Sequence, residues 1–122
     1  MNKLVVLWQN QTKVEVNQQA ITAHLEDILR RLGLVGMVEI EITVVGDQAI
    51  AKLKHQFLGQ NEPTDVLSFP NPRTTDSSLI GSIVVSVDTA AKQAKEAKIS
   101  LIDELKMLTS HGLLHLLEFH HR

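Results

Sequence analysis

Residues 101–117 read LIDELKMLTSHGLLHLL, and that stretch restricts the fold more than any other. Ser100 with Asp103 is an S-x-x-D helix start. From Leu101 onward the pattern is apolar on nearly all sides of a helix. Such a helix is stable only when other elements surround it, so the rest of this 122-residue chain is expected to wrap around it. A chain of that length makes one domain, residues 1–122, with room for a real core but not for two.

The remainder supplies elements to do the wrapping. Lys3 to Gln9 is apolar and β-branched, a strand. Asn17 is an N-cap for a helix through about Leu32, with Ile21, Leu25, Ile28, Leu29 and Leu32 as its stripe and Gly33 as its stop. Met37 to Val45 alternates apolar and acidic residues, then runs apolar: a strand half exposed at its start. Gly46 and Asp47 break it and cap a helix to about Leu58, with Ile50, Leu53 and Phe57 facing inward. After a turn at Gly59 to Pro63, Asp65 to Phe69 is a short strand that Pro70 and Pro72 end by excluding further ladder pairing. Thr64 and Asp65 shape its start. Asn71 to Ser78 is loop-like, and Ile80 to Val87 is a buried strand. Asp88 or Thr89 caps a helix through about Lys98. The order implies an α+β domain, a small mixed sheet of about four strands packed against helices.

Composition narrows the chemistry. With no cysteine, disulfides and thiolate metal sites are impossible, and any metal is held by His and carboxylate. A net charge of −2 and a pI near 6.3 argue against binding nucleic acid by charge alone. Trp8, Phe57, Phe69 and Phe119 are the only aromatics, too few for an extended base-stacking platform. Without a signal-like segment or a long apolar run, the expected location is cytoplasmic.

Four of the six histidines, His111, His115, His120 and His121, lie near the C-terminal end of this sequence. His111 and His115 are four apart, about 40° around a helix axis and one turn along it, so both can reach one tetrahedral ion. On an unbroken helix His121 would lie roughly 80° from His111 and roughly 9 Å beyond His115. To close the site the chain must leave the helix near residue 118 and turn back, as in the metzincin H-x-x-x-H-x-x-G-x-x-H pattern. His120 then points to solvent. Glu118, about 20° from His111 on a continuous helix, is a competing ligand. Zinc peptidases carry a Glu directly after the first His as general base. Here that position is Gly112, which argues against peptide hydrolysis.

The histidine stretch His111-Gly112-Leu113-Leu114-His115-Leu116-Leu117-Glu118-Phe119-His120-His121 resembles the H-G-x-L-H-L-x-G-Y-D-H signature of the YbeY family, metal-dependent endoribonucleases that act as ribosomal RNA maturation factors. Glu62 to Pro70 (EPTDVLSFP) resembles the family's P-T-D-V-L-S-F-P strand. Ile80 to Ser86 (IGSIVVS) is similar to its L-G-D-I-x-I-S strand. The resemblance implies a buried central helix carrying metal-binding histidines at the zincin-like spacing H-x3-H-x5-H, with one zinc ion per chain held by His111, His115 and His121. It implies hydrolysis of single-stranded RNA by the metal-bound water, with no side chain singled out as catalytic. The implied partners are ribosomal RNA and the small ribosomal subunit, in rRNA processing and ribosome quality control.

This sequence departs from the pattern around the triad. Glu118 replaces the turn glycine, Phe119 a tyrosine and His120 an aspartate. Ser82 replaces an aspartate that could support a metal-bound His. Leu58 stands where many members carry an arginine able to clamp a phosphate. Arg122 follows His121 directly, so that ligand is expected on a frayed end. Lys92, Lys95 and Lys98, on the outer face of one helix, are candidate RNA contacts or simply a solvated face. Ser68 and Ser86 suit strand packing as well as a site. The alternatives to a zinc endoribonuclease are a non-catalytic ribosome-associated factor with the same fold, a metal-dependent hydrolase of another substrate, and a structural zinc closed by Glu118.

Overall fold

The computed structural model describes residues 2–34, 36–60, 62–71 and 78–120, with the side chains of Asn2, Lys3 and His120 left aside. The elements run β1 (Asn2–Asn10), α1 (Gln18–Arg31), β2 (Gly36–Val45), α2 (Asp47–Leu58), β3 (Val66–Pro70), β4 (Leu79–Ser86), α3 (Val87–Ala97) and α4 (Leu101–His120). They form one mixed sheet in the order β1-β2-β4-β3. β1, β2 and β4 are parallel, and β3 is the antiparallel edge. This is the α+β architecture that the sequence implies. No described helix is long and apolar enough to cross a membrane.

Strand alternation divides the sheet into two faces. Leu4, Ile40, Ile42, Val44, Ile83 and Val85 point to one side, where they form the main core with residues of α1, α3 and α4. Val45, Leu67 and Val84 point to the other and pack with Ile50 of α2, flanked by Leu53 and Phe69. Phe57 does not turn inward as its spacing suggests. It is 58% exposed and lies tilted on Phe69, with ring centroids 5.2 Å apart. Helix α2 is too near its end there to be covered by the sheet.

The helix starts follow the sequence with one exception. Asn17 caps α1 by accepting from the Ala20 N–H at 3.1 Å, and Ser100 caps α4 by accepting from Asp103 at 3.2 Å. The cap of α3 is Ser86, ahead of the expected Asp88 or Thr89. Its hydroxyl accepts from the Thr89 N–H at 3.3 Å and donates to Asp47 at 2.6 Å. Asp88 serves α2 instead, accepting from the Asp47 N–H at 2.9 Å. Thr89 also donates its hydroxyl proton to Asp47, at 2.6 Å, so the first turns of α2 and α3 lock each other.

These hydroxyls hold the Asp47 carboxyl below its ordinary pKa of 3.8, Ser86 contributing most and Thr89 next. A carboxylate whose pKa is depressed on folding stabilises the fold above the unfolded value and loses that contribution as pH falls through the folded one. The stability difference between wild type and Asp47→Asn is therefore expected to be flat from neutral pH to about pH 5 and to shrink below about pH 4. Urea unfolding at several pH values checks this, and a difference that grows on acidification would contradict it.

Helix α4 lies unusually close to β4, and two glycines make room for it. A Cβ at Gly112 would be 3.0 Å from both Cγ1 and Cγ2 of Ile83. A Cβ at Gly81 would be 2.6 Å from Leu116 Cδ2 and equally close to the Phe69 carbonyl oxygen. Leu105, Leu108, Leu113, Leu116 and Leu117 are buried, as a central helix requires, whereas Met107, Leu114 and Phe119 are exposed. The helix is thus enclosed on the sides facing the sheet, α1 and α3, and open along one arc.

Candidate metal centre

The open arc of α4 carries the histidine pair. Glu104, seven residues before His111 and so about 20° from it around the axis, is buried, as is Leu108. His111 and His115 continue that stripe one and two turns further on and are both exposed. Around the helix they lie between Leu114, which borders a groove with Leu32 and Leu34 on the α1 side, and Gly112, which rests on Ile83 of β4. Beyond β4 is the edge strand β3. The two imidazoles thus stand side by side on a rigid helix, open to solvent, with the sheet edge beside them. Two neutral nitrogen donors one turn apart fit two corners of a tetrahedral site for a borderline ion such as zinc.

The chain does not leave the helix near residue 118. Helix α4 continues to His120, with Leu116 and Leu117 buried to hold its last turns in place. Glu118 explains the difference: glutamate propagates a helix about 1 kcal/mol better than the glycine that would have ended it. His121, the expected third ligand, and the side chain of His120 lie outside the described residues. Glu118 shares the exposed arc, yet among the described residues no three His, Asp or Glu side chains come together as a metal-holding group.

Other candidates fall elsewhere. Ser82 is next to Ile83, whose side chain meets α4, so Ser82 points to the opposite face. There its hydroxyl donates to Glu41 at 3.2 Å, and it cannot support a histidine on α4. Leu58, 57% exposed, ends α2 on that same far face, and Phe57 beside it touches the β3 edge through Phe69. Lys92, Lys95 and Lys98 are exposed on and after α3. Lys98 lies just ahead of α4, and roughly 15 Å of helix separates Leu101 from His111, so Lys98 does not border the pair. Ser86 is a helix cap. Asp65 anchors the start of β3: its carboxylate accepts from its neighbour's Val66 N–H at 2.8 Å and from Gln93 Nε2 at 3.3 Å.

Gly112 has a second role that its place in the histidine motif did not reveal. Its Cα faces Ile83, so a glutamate there would be driven into the sheet and not toward the imidazoles. The absence of a peptidase base is built into the helix–sheet contact.

Known proteins place this chain firmly. Residues 7–122 match the family model described as Endoribonuclease YbeY. The chain is 36% identical over 127 residues to the Endoribonuclease YbeY of Syntrophus aciditrophicus, covering 99% of this chain and 78% of that protein. It is 41% identical over 114 residues to that of Aliarcobacter butzleri, covering 93% and 76%. The solution structure of a Thermotoga maritima protein superposes with a TM-score of 0.65 at 29% identity, covering 92% of this chain and 71% of that one. On the agreement of motif, fold and relatives, this chain belongs to the endoribonuclease YbeY family.

Proposed function

We propose that this chain is a zinc-dependent, single-strand-specific endoribonuclease of the cytoplasm, acting in ribosomal RNA maturation and quality control on the small ribosomal subunit. The observation that carries the reading is the exposed His111–His115 pair on the open arc of α4, in a chain whose relatives are named endoribonucleases. His111 and His115 would supply two ligands to one zinc ion, and His121 would join them as the third when the last turn of α4, which continues to His120, unwinds on binding it. Bound there, the ion would act as a Lewis acid toward a phosphodiester and make water a better nucleophile at neutral pH.

The chain's own part is placement. The buried leucines fix α4 against the sheet, so the backbone positions of both histidines are held one helical turn apart. The open arc admits an extended strand of RNA, and Gly112 leaves no carboxylate base for peptide hydrolysis. A non-catalytic ribosome-associated factor is favoured by one observation, the exposed Leu58 where an arginine could have clamped phosphate.

One experiment separates the two. Purified protein is expected to cut an end-labelled single-stranded RNA, to lose that activity in a chelator, to regain it with added zinc, and to leave the corresponding duplex intact. Cleavage unaffected by chelation would overturn the zinc assignment. No cleavage with zinc supplied would favour the non-catalytic factor.

A further inference from the structure

The ladder between β3 and β4 determines which backbone groups of the sheet edge remain open. The Ser86 N–H donates to the Asp65 carbonyl at 2.9 Å, and the Asn71 N–H donates to the Ile80 carbonyl at 3.0 Å. Both bonds join residues directly opposite in the register that pairs Val66 with Val85 and Pro70 with Gly81. In an antiparallel ladder bonded and non-bonded pairs alternate. Residues 65, 67, 69 and 71 therefore face β4 with their backbone groups, while Val66, Ser68 and Pro70 direct theirs to the open side. Pro70, expected from sequence to exclude further pairing, fits in register because its missing N–H would have pointed outward.

Three outward positions leave one donor. The Val66 N–H is taken by the Asp65 carboxylate at 2.8 Å. Pro70 has no N–H. Only the Ser68 N–H remains, and no described residue accepts from it or from the Ser68 hydroxyl. The hydroxyl has a definite direction as well. Leu67 and Phe69 pack on the α2 side, so Ser68 points to the α4 side. It is half-buried and opposite Ile83, the residue on which Gly112 rests. The turn of α4 that carries His111 lies over that spot.

We propose that Ser68 is a substrate-binding residue, whose backbone N–H and hydroxyl together hold a non-bridging phosphate oxygen of single-stranded RNA beside His111 and His115. The assignment rests on the endoribonuclease reading above and adds the position of the strand. Two neutral donors on one residue suit a point-like anionic acceptor. The nearest carboxylate along this stretch of chain, Asp65 just ahead of β3, is three residues and roughly 10 Å away. An extended peptide is the poorer occupant, because strand addition uses donors at every second residue and this edge offers a single one.

The test compares Ser68→Ala, which removes the hydroxyl, Ser68→Pro, which removes both the hydroxyl and the N–H at a position where an edge strand tolerates proline, and Ser68→Thr, which keeps both donors. Steady-state cleavage of a single-stranded oligoribonucleotide is measured, with urea unfolding as a control for folding. Ala is expected to raise KM roughly tenfold, the effect of losing one hydrogen bond to a charged group, and Pro, which loses both, roughly a hundredfold, with kcat within about threefold in each. Thr should behave as wild type. Variants that fold and keep wild-type KM, while His115→Ala abolishes cleavage, would overturn the role of Ser68 alone. Wild-type protein that neither binds nor cuts the RNA would overturn this role and the endoribonuclease reading together. Amide exchange at Ser68 that slows with an extended peptide but not with RNA would assign the edge to peptide instead.

Discussion

Gly81→Ala is expected to lower the unfolding free energy by about 3 kcal/mol, a large share of the roughly 5–15 kcal/mol that holds a domain together. The added methyl group would be 2.6 Å from Leu116 Cδ2 and from the Phe69 carbonyl oxygen. Leu116 could adjust its rotamer, but the carbonyl belongs to the β3 backbone and cannot. Overpacking of this kind costs about 1–3 kcal/mol. The backbone adds to it, since Gly81 has φ +157°, which side chains rarely adopt, at a cost of about 1 kcal/mol or more. Urea unfolding with an unchanged m-value would report the loss directly. Gly33→Ala is the control, because a Cβ there meets nothing within 4 Å and only the positive φ is penalised. A Gly81→Ala loss no larger than the Gly33→Ala loss would mean that α4 does not pack on β4 as closely as described.

His115→Ala is expected to reduce kcat/KM on single-stranded RNA by at least about a hundredfold. Loss of Lewis-acid stabilisation removes several kcal/mol from the transition state, and each 1.36 kcal/mol is tenfold in rate. Stability should change by no more than about 0.5 kcal/mol, because the imidazole is exposed and alanine is the better helix former. Large loss of activity with little loss of stability distinguishes a site residue from a packing residue. Activity within a few-fold of wild type would remove His115 from the site.

Much of this arrangement is legible in the sequence, and the exceptions share a cause. The central helix, the sheet strands and the histidine pair all announce themselves through local periodicity. What the sequence hides is which partner each residue meets. Ser82 looks like a support for a histidine until β4 is aligned with α4, when Ile83 takes the near side and Ser82 the far one. Asp88 has the chemistry of a cap for its own helix but is used by its neighbour. Glu118 looked like a residue at a turn because the glycine it replaces would have made one, and its own helix propensity carries α4 onward. The sole open donor of the β3 edge follows only from the ladder register, which depends on β4 as much as on β3.

The pairing of His111 with His115 as metal ligands is tested most directly by zinc content. Protein purified, dialysed against zinc and then freed of unbound ion should carry one zinc per chain by elemental analysis. The doubly substituted His111→Ala, His115→Ala protein, folded by the same unfolding criterion, should carry none above background. A double variant that retains the ion, or a wild type that never takes it up, would contradict the account.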